Sequence, residues 1–324
     1  MLLLYPLGLI VFTLWYLVVP DREGIGALVR VFAPYLFLPL GLLLPFLLWR
    51  RAFALRLILL SCLAIFAFCF GPALNIPQAE AAARAELRVI SWNTYVDGVS
   101  HESLRAVLAD HNADVVALQE VIREPLREDG DLLARYPYHL LSDDRTAPGM
   151  AILSRFPIVE SGVPDLPDEA WDMPRIVWAR LDLGGGRTAL VVNAHPIPPR
   201  TFLTDDCRLR CYNRGPRDGQ ISALRAFVEP LRVSGEPLLL VGDFNVTERE
   251  EAYLDLSRGF TDVQRAVGLG MGATWRPGRY TLGIPVLRID YMFANDRIEP
   301  LSYVLDCRRH GSDHCAQIGA FRLR

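Results

Sequence analysis

Three uncharged apolar runs open the chain: Met1–Val19, Val31–Trp49 and Leu57–Leu74, of 19, 19 and 18 residues. A helix of about 20 apolar residues crosses the ~30 Å hydrocarbon core of a bilayer, so each run is long enough to span. A signal peptide followed by buried core helices is the alternative. Met1–Val19 argues against it, because it has neither a basic n-region nor a small-residue cleavage site. Prolines 34, 39 and 45 fall inside the second run; membrane helices tolerate them. Residues 1–75 therefore read as a membrane anchor of three transmembrane helices, about 1–19, 31–49 and 57–74.

Charge sets the expected orientation. Residues 1–75 carry only Asp21, Arg22, Glu23, Arg30, Arg50, Arg51 and Arg56. The link between the second and third runs holds three of the arginines, and positively charged links stay in the cytoplasm. Three spans then put the N-terminus inside and everything after residue 75 outside. The 51% hydrophobic content of the 324 residues thus averages an apolar head with an ordinary polar domain.

Every basic residue is arginine. The head has five arginines against two acids, which leaves 29 arginines against 35 acids, a net of −6, for residues 76–324. Such a body repels a phosphate backbone at long range, which disfavours a non-specific nucleic-acid binder. Cys62 and Cys69 fall in the third run; Cys207, Cys211, Cys307 and Cys315 fall in the outer domain. Their short spacings suggest bridges 207–211 and 307–315 in an oxidising compartment. Zinc fits less well, since C-x₃-C and C-x₇-C are not finger spacings. Free buried thiols stay open.

Residues 76–86 read as a linker, and 87–324 as one domain of about 240 residues, ample for a core. Strands are predicted at Leu87–Trp92, Val115–Leu118 and Met150–Ser154, and at Trp178–Leu183 and Arg187–Val192 around Gly184-Gly185-Gly186, a hairpin signal. Further strands are predicted at Leu238–Val241, Ile289–Phe293, Leu301–Cys307 and Ala316–Arg322. Helices are predicted over Glu102–Asp110, after Asp218 as a cap with Ile221, Leu224 and Val228 on one face, and after a Thr247-x-x-Glu250 capping box. This pattern favours two mostly antiparallel sheets with helices outside.

Polar groups recur where the strands stop: Trp92-Asn93, Gln119-Glu120, His195, Asp243-Phe244-Asn245, the acid of Arg288-Ile289-Asp290-Tyr291, and Ser312-Asp313-His314. A lone Asp or Asn at a strand end is usually a turn residue. Six such sites, each with a ligand or acid–base group, are hard to explain that way. Glu120, Asp243, Asp313, Asn93 and Asn245 offer the oxygen donors that Mg²⁺ or Mn²⁺ prefers. Asp290 and His314 make a plausible carboxylate–imidazole pair, in which the acid fixes the tautomer. The combination suits phosphoryl transfer.

In this order WN, QE, H, GDFN, RIDY and SDH resemble the endonuclease/exonuclease/phosphatase superfamily across roughly residues 87–323. The resemblance implies an α+β, four-layer α/β/β/α sandwich of the DNase I type with the site at one edge of the paired sheets. It implies Asn93, Glu120 and Asp313 as metal residues, and His314 as base oriented by Asp290. Asp243 and Asn245 would position water or phosphoryl oxygens, and His195 would stabilise them. Tyr95 stands where the abasic-site branch carries an Asp, so that branch's second ligand is not implied. Arg217, with Arg214 and Arg200 in a Pro/Arg loop, and Trp275 of Thr274-Trp275 are candidate substrate contacts.

Three spans ahead of such a domain are similar to a membrane-anchored bacterial subgroup that includes the membrane phosphatases associated with teicoplanin resistance. The implied function is a membrane-anchored, extracytoplasmic, Mg²⁺-dependent phosphohydrolase acting on a lipid-linked, polyprenyl-type phosphate or pyrophosphate at the bilayer. The alternatives are an extracytoplasmic nuclease, less favoured by the −6 charge, and a non-catalytic membrane module, which would need decayed ligands. No protein partner is implied.

Overall fold

The computed structural model describes all residues except 1–2, 21–23, 49–52, 77–81, 97, 143–148, 165, 167–174, 202–211, 278–280 and 309. Arg50, Arg51, Cys207, Cys211 and residues 77–81 of the expected linker lie outside the described residues. The chain forms two compact units, one of Met1–Pro72 with Arg200–Asn213 and Arg249–Glu251, the other comprising the remainder.

The first unit holds helices Leu4–Val18, Ile25–Val31 and Phe53–Phe70, with a 3₁₀ helix over Ala33–Leu48. Among the described residues, only Phe53–Phe70, of 18 residues, is long and apolar enough by itself to cross a membrane. Ile25–Val31 and Ala33–Phe46 pass only together, as a pair bent by 57°. Leu4–Val18 has 15 residues, short of the ~20 a span needs. The expectation of three full-length spans is corrected accordingly to one, or two if the bent pair counts as one span. Proline is the physical reason in the second run. Pro39 and Pro45 remove amide donors from the i→i−4 ladder, and that run winds as a 3₁₀ helix instead.

Leu9, Phe37, Leu40, Leu59, Cys62 and Phe70 pack inside this unit, while Leu57, Leu60 and Phe68 stay exposed. Buried Arg30 is satisfied locally: its guanidinium lies 5.0 and 4.9 Å from the rings of Trp15 and Tyr16 and donates to the Tyr16 carbonyl at 2.8 Å.

The second unit contains two six-stranded mixed sheets. Their strands are β1 (Leu87–Asn93), β2 (Val115–Val121), β3 (Tyr138–Leu141), β4 (Gly149–Ser154), β5 (Ile158–Gly162) and β6 (Ile176–Gly184), followed by β7 (Arg187–Ala194), β8 (Leu238–Asp243), β9 (Thr261–Asp262), β10 (Asp290–Ala294), β11 (Ile298–Asp306) and β12 (Ala316–Leu323). One sheet runs β11-β12-β1-β2-β4-β3 and the other β9-β10-β8-β7-β6-β5. Only β1–β2 and β7–β8 are parallel pairs among these neighbours.

Alternation explains the layers. Val89, Val115, Ala117 and Ile152 of one sheet face Val177, Val191, Leu239 and Val241 of the other across a mostly apolar interface. Ile90, Val116 and Leu118 point outward, onto Leu104, Val107 and Leu108 of helix His101–His111. Leu190, Val192, Leu238 and Leu240 meet Ile221, Leu224 and Val228 of helix Gly215–Val233. The result is a four-layer α/β/β/α sandwich. Each fully buried Leu or Val contributes about 1.5–3 kcal/mol. Ser100 caps the first helix by accepting from the Ser103 amide at 3.2 Å, and left-handed Asn112 ends it.

The second helix begins earlier than expected. It starts at Gly215 with Pro216 in its first turn, so Asp218 lies inside that turn rather than at the cap. Cys307 and Cys315 form a disulfide.

Candidate active site

Topology brings the six polar positions to one edge. Two parallel pairs place the C-terminal ends of β1, β2, β7 and β8 together, which carries Asn93, Glu120, His195 and Asp243 there. Their antiparallel neighbours β10 and β12 begin at that edge, so Asp290 pairs in register with Asp243, and Asp313-His314 precede Ala316. Gly242 makes the β7–β8 approach possible. Its φ is +140°, and a Cβ there would lie 1.9 Å from the Ala194 carbonyl oxygen. Glu120 and Asn245 adopt left-handed φ of 51° and 52°, and the β2–β4 ladder is irregular between Leu118 and Val121. Non-glycine residues held there concentrate at functional sites.

Asn93 Nδ2 donates to Glu120 Oε1 at 3.1 Å and to Asp243 Oδ2 at 3.0 Å. Its Oδ1 accepts from the Tyr95 amide at 3.0 Å. As placed, Asn93 therefore presents its amide nitrogen to the carboxylates. His195 Nε2 stands 3.5 Å from Glu120 Oε1 and 3.7 Å from Asp243 Oδ2. His314 Nδ1 lies 3.1 and 2.9 Å from the two Asp290 oxygens, while Nε2 lies 3.7 Å from Asp243 and 3.8 Å from Asp313. Asn245 donates its amide N–H to Asp243 Oδ1 at 2.9 Å and its Nδ2 to the Pro196 carbonyl at 3.0 Å.

Burial and charge tune these groups. Burial, followed by the charge of Asp290, pushes the Asp243 carboxyl up to about 8, against the pull of His314 and its hydrogen bonds. Burial likewise raises Glu120. His195 falls well below its ordinary value, first through burial and then through the charges of Arg175 and His314. His314 goes the other way: burial opposes its charge, but Asp290 and Asp243 outweigh that and raise it to about 10. Burial and neighbouring charge thus push the two imidazoles in opposite directions.

A hard cation fits this donor set. Glu120, Asp243, Asp290 and Asp313 crowd one edge, and Asp313 Oδ1 is buried with no hydrogen-bond partner. Asp243, Asp290 and His314 have ligand atoms all within 4.8 Å of one another. Asp290 is committed to His314 and to the Thr274 hydroxyl, so the oxygens left for a cation come from Glu120, Asp243 and Asp313.

The two candidate substrate contacts sit differently from the expectation. Arg217 is fully buried; Nη1 donates to the Asn245 carbonyl at 2.7 Å, and Nε and Nη2 reach Asp218 at 2.9 and 2.7 Å. It points inward, toward Asn245. Trp275 Nε1 donates to Asp313 Oδ2 at 3.0 Å. Both steady residues of the site. Of their companions, Arg214 pairs with Asp218 at 3.2 Å and Arg200 lies on a two-residue strand with Asn213.

Other residues were missed or underweighted in the sequence. Gln119 Nε2 donates to Asn193 Oδ1 at 2.7 Å, and Asn193 Nδ2 donates to Leu118 and Ala151 carbonyls, which ties the sheets together beneath the site. Ser312 Oγ donates to the Asn93 carbonyl at 2.7 Å and accepts from the His314 amide at 2.9 Å. Arg175 is buried, with Nη1 3.4 Å from the His195 carbonyl. For Gln119 and Asn193 the available signal is a polar residue at a strand position flanked by buried apolar ones.

Comparison with known proteins bears on the family and the fold. The model of the Endonuclease/Exonuclease/phosphatase family matches residues 90–314. No curated protein sequence matches the chain. Similar solved structures include an endonuclease/exonuclease/phosphatase from Beutenbergia cavernae, with 22% identity, 73% of this chain and 71% of that one covered, and a TM-score of 0.53. A mannosyl-6-phosphatase from Bacteroides thetaiotaomicron shows 20% identity, with coverage of 73% and 100% and a TM-score of 0.52. A 3′ phosphatase from Neisseria bound to a product DNA hairpin shows 22%, 73%, 99% and 0.56. At these identities they share the fold.

Proposed function

The chain belongs to the endonuclease/exonuclease/phosphatase family, whose members hydrolyse phosphoester bonds, and from that premise we propose that it is a membrane-anchored, extracytoplasmic, Mg²⁺- or Mn²⁺-dependent phosphohydrolase acting on a lipid-linked phosphate or pyrophosphate. The observation that carries the reading is the Asp290–His314 pair beside three carboxylates, one with a buried, unpartnered oxygen.

Glu120, Asp243 and Asp313 would hold the cation, with Asn93 orienting the first two. When bound, the cation offsets the carboxylate charge that keeps a proton on His314 and polarises a phosphoryl oxygen. Asp290 accepts from His314 Nδ1 and leaves Nε2 free to take a proton from water. Neutral His195 donates from Nε2 to a phosphoryl oxygen or to the leaving group. Asn245, fixed by Pro196 and Arg217, helps position the attacked group.

Membrane anchoring is supported by the apolar helix Phe53–Phe70 and the bent pair before it. The arginines at 50, 51 and 56 favour a cytoplasmic link there, which puts the catalytic domain outside. A tethered enzyme meets lipid substrates in two dimensions, and an acidic body gains little from DNA.

The test is hydrolysis by the purified full chain in detergent with Mg²⁺, read as free phosphate from a pyrophosphate and as new phosphomonoester from a phosphodiester. A polyprenyl pyrophosphate, a phosphodiester lipid and plasmid DNA would be compared. Preference for the pyrophosphate supports the reading; preference for plasmid replaces it with a nuclease.

A further inference from the structure

The segment between β11 and β12 carries Asp313 and His314, and it is closed at its base by a covalent bond. Asp306 and Ala316 are the last paired residues of the two strands, and Cys307 and Cys315 come next inside them. Cys315 adjoins His314 in the chain and is buried. A terminal ladder pair beside a loop is where a hairpin opens first. Here the disulfide sits directly on that pair, so the backbone origin of His314 is fixed from both strands.

The inside of the loop is occupied by a guanidinium. Arg276, 5% exposed, donates through Nη1 to the Cys307 carbonyl at 2.7 Å. Through Nη2 it reaches the Ser312 carbonyl at 2.9 Å and that of Arg308 at 3.4 Å. Its own amide donates to the Asp313 carbonyl at 2.9 Å. Four carbonyls of the loop therefore turn toward one residue. Arginine's planar fork suits this, because several donors leave one rigid group at fixed angles. The Cys315 amide adds a bond to the Thr274 carbonyl at 2.8 Å, which ties the loop to the residue that also holds Asp290. On its far side Gly311, at φ +105°, packs so tightly that a Cβ would lie 1.6 Å from the Gly98 carbonyl oxygen.

We propose that the Cys307–Cys315 disulfide and Arg276 form a clamp that positions Asp313 and His314, and that reducing the bridge turns the site down without unfolding the protein. Neither group touches the reacting atoms; both are positioning elements, and the proposal rests on the hydrolase reading above. Reduction by a water-soluble phosphine is balanced: phosphorus supplies two electrons and becomes a phosphine oxide with oxygen from water, and the two protons of that water complete two thiols. In a reducing compartment the clamp opens. Outside the cytoplasm it stays closed.

The experiment uses the full chain in detergent with Mn²⁺ and a polyprenyl pyrophosphate. Turnover, melting temperature and Mn²⁺ affinity by calorimetry are measured before reduction, after it, and after reoxidation with oxidised glutathione. Loss of the bridge is verified by mass. The expected result is a fall in kcat on the order of tenfold to a hundredfold with KM within about twofold, as displacement of a catalytic group produces. Mn²⁺ binding should weaken by about tenfold through Asp313, the circular dichroism spectrum should remain, and reoxidation should restore both kcat and Mn²⁺ affinity. Cys307→Ser with Cys315→Ser should reproduce the reduced state, and Arg276→Lys should retain more kcat than Arg276→Ala. Unchanged kcat and Mn²⁺ affinity with the bridge gone would overturn the clamp, as would a loss that merely tracks the unfolded fraction. An oxidised, folded protein with no turnover would instead sink the hydrolase reading, and Mn²⁺ affinity would still decide the clamp.

Discussion

Asn93 and Asp243 belong to different sheets, yet the Asn93 side-chain amide lies 3.0 Å from Asp243 Oδ2 and joins the two sheets at their common edge. The same nitrogen holds Glu120. One amide therefore sets the spacing of two carboxylates that burial pushes toward protonation.

Asn93→Ala should remove that spacing. A lost hydrogen bond to a buried charged group costs about 1.5–3 kcal/mol, read as a lower melting temperature. Phosphate release should fall by about a hundredfold or more, in line with loss of a positioning contact. Activity within a few-fold of the parent protein would show that Glu120 and Asp243 need no such spacer.

Arg217 separates positioning from substrate binding. Its guanidinium is buried against Asn245 and Asp218, so Arg217→Gln should lower kcat while leaving KM within about twofold. Stability should fall by about 1–3 kcal/mol, the cost of leaving a buried hydrogen-bonding group without its partner. A rise in KM with kcat preserved would restore Arg217 as a substrate contact.

Asp306 predicts the acid limb of stability. Burial opposes its charge, but hydrogen bonds from Arg308 and His111 outweigh that and hold its carboxyl well below the ordinary range. The folded pKa is depressed, so its stabilisation is fully present above the unfolded value of about 3.9. It is lost as pH falls from there through the folded value, because the unfolded chain binds the proton first. Asp306→Asn should lower the melting temperature at pH 7 and flatten its dependence below about pH 4. Parallel melting curves for the two proteins across that range would contradict this.

The proposed topology predicts that a reporter active only outside the cytoplasm gives signal when fused after residue 80. The same reporter fused within the 50–56 link should be silent. A silent reporter at residue 80 would refute an extracytoplasmic domain.

The sequence carried much of this arrangement where side-chain type and position coincide. Asn93, Glu120, His195, Asp243, Asp290 and His314 are polar residues at or beside strand ends; parallel pairing gathers the first four and antiparallel neighbours bring the last two. Strands Tyr138–Leu141 and Ile158–Gly162 escaped notice because they are edge strands with mostly part-exposed residues and no apolar alternation. The second apolar run reads as a span by composition, but its prolines act on the backbone, which hydropathy does not register. Arg217 and Trp275 were legible as residues near the site but not in their direction. A buried arginine and an exposed one look alike in a sequence; only the fold turns Arg217 toward the Asn245 carbonyl and the Trp275 indole toward Asp313. Arg276 gave no signal, since it binds backbone carbonyls distant in sequence.

The most direct measurement is phosphate release from a polyprenyl pyrophosphate in mixed micelles by the purified full chain, with Mg²⁺ and with EDTA. Glu120→Gln and His314→Ala would be run beside it. The account predicts metal-dependent release by the parent chain, abolished by chelation and reduced in each variant by at least about a thousandfold, with melting temperatures showing both variants folded. Release that survives EDTA, or either substitution in a folded protein, would contradict it.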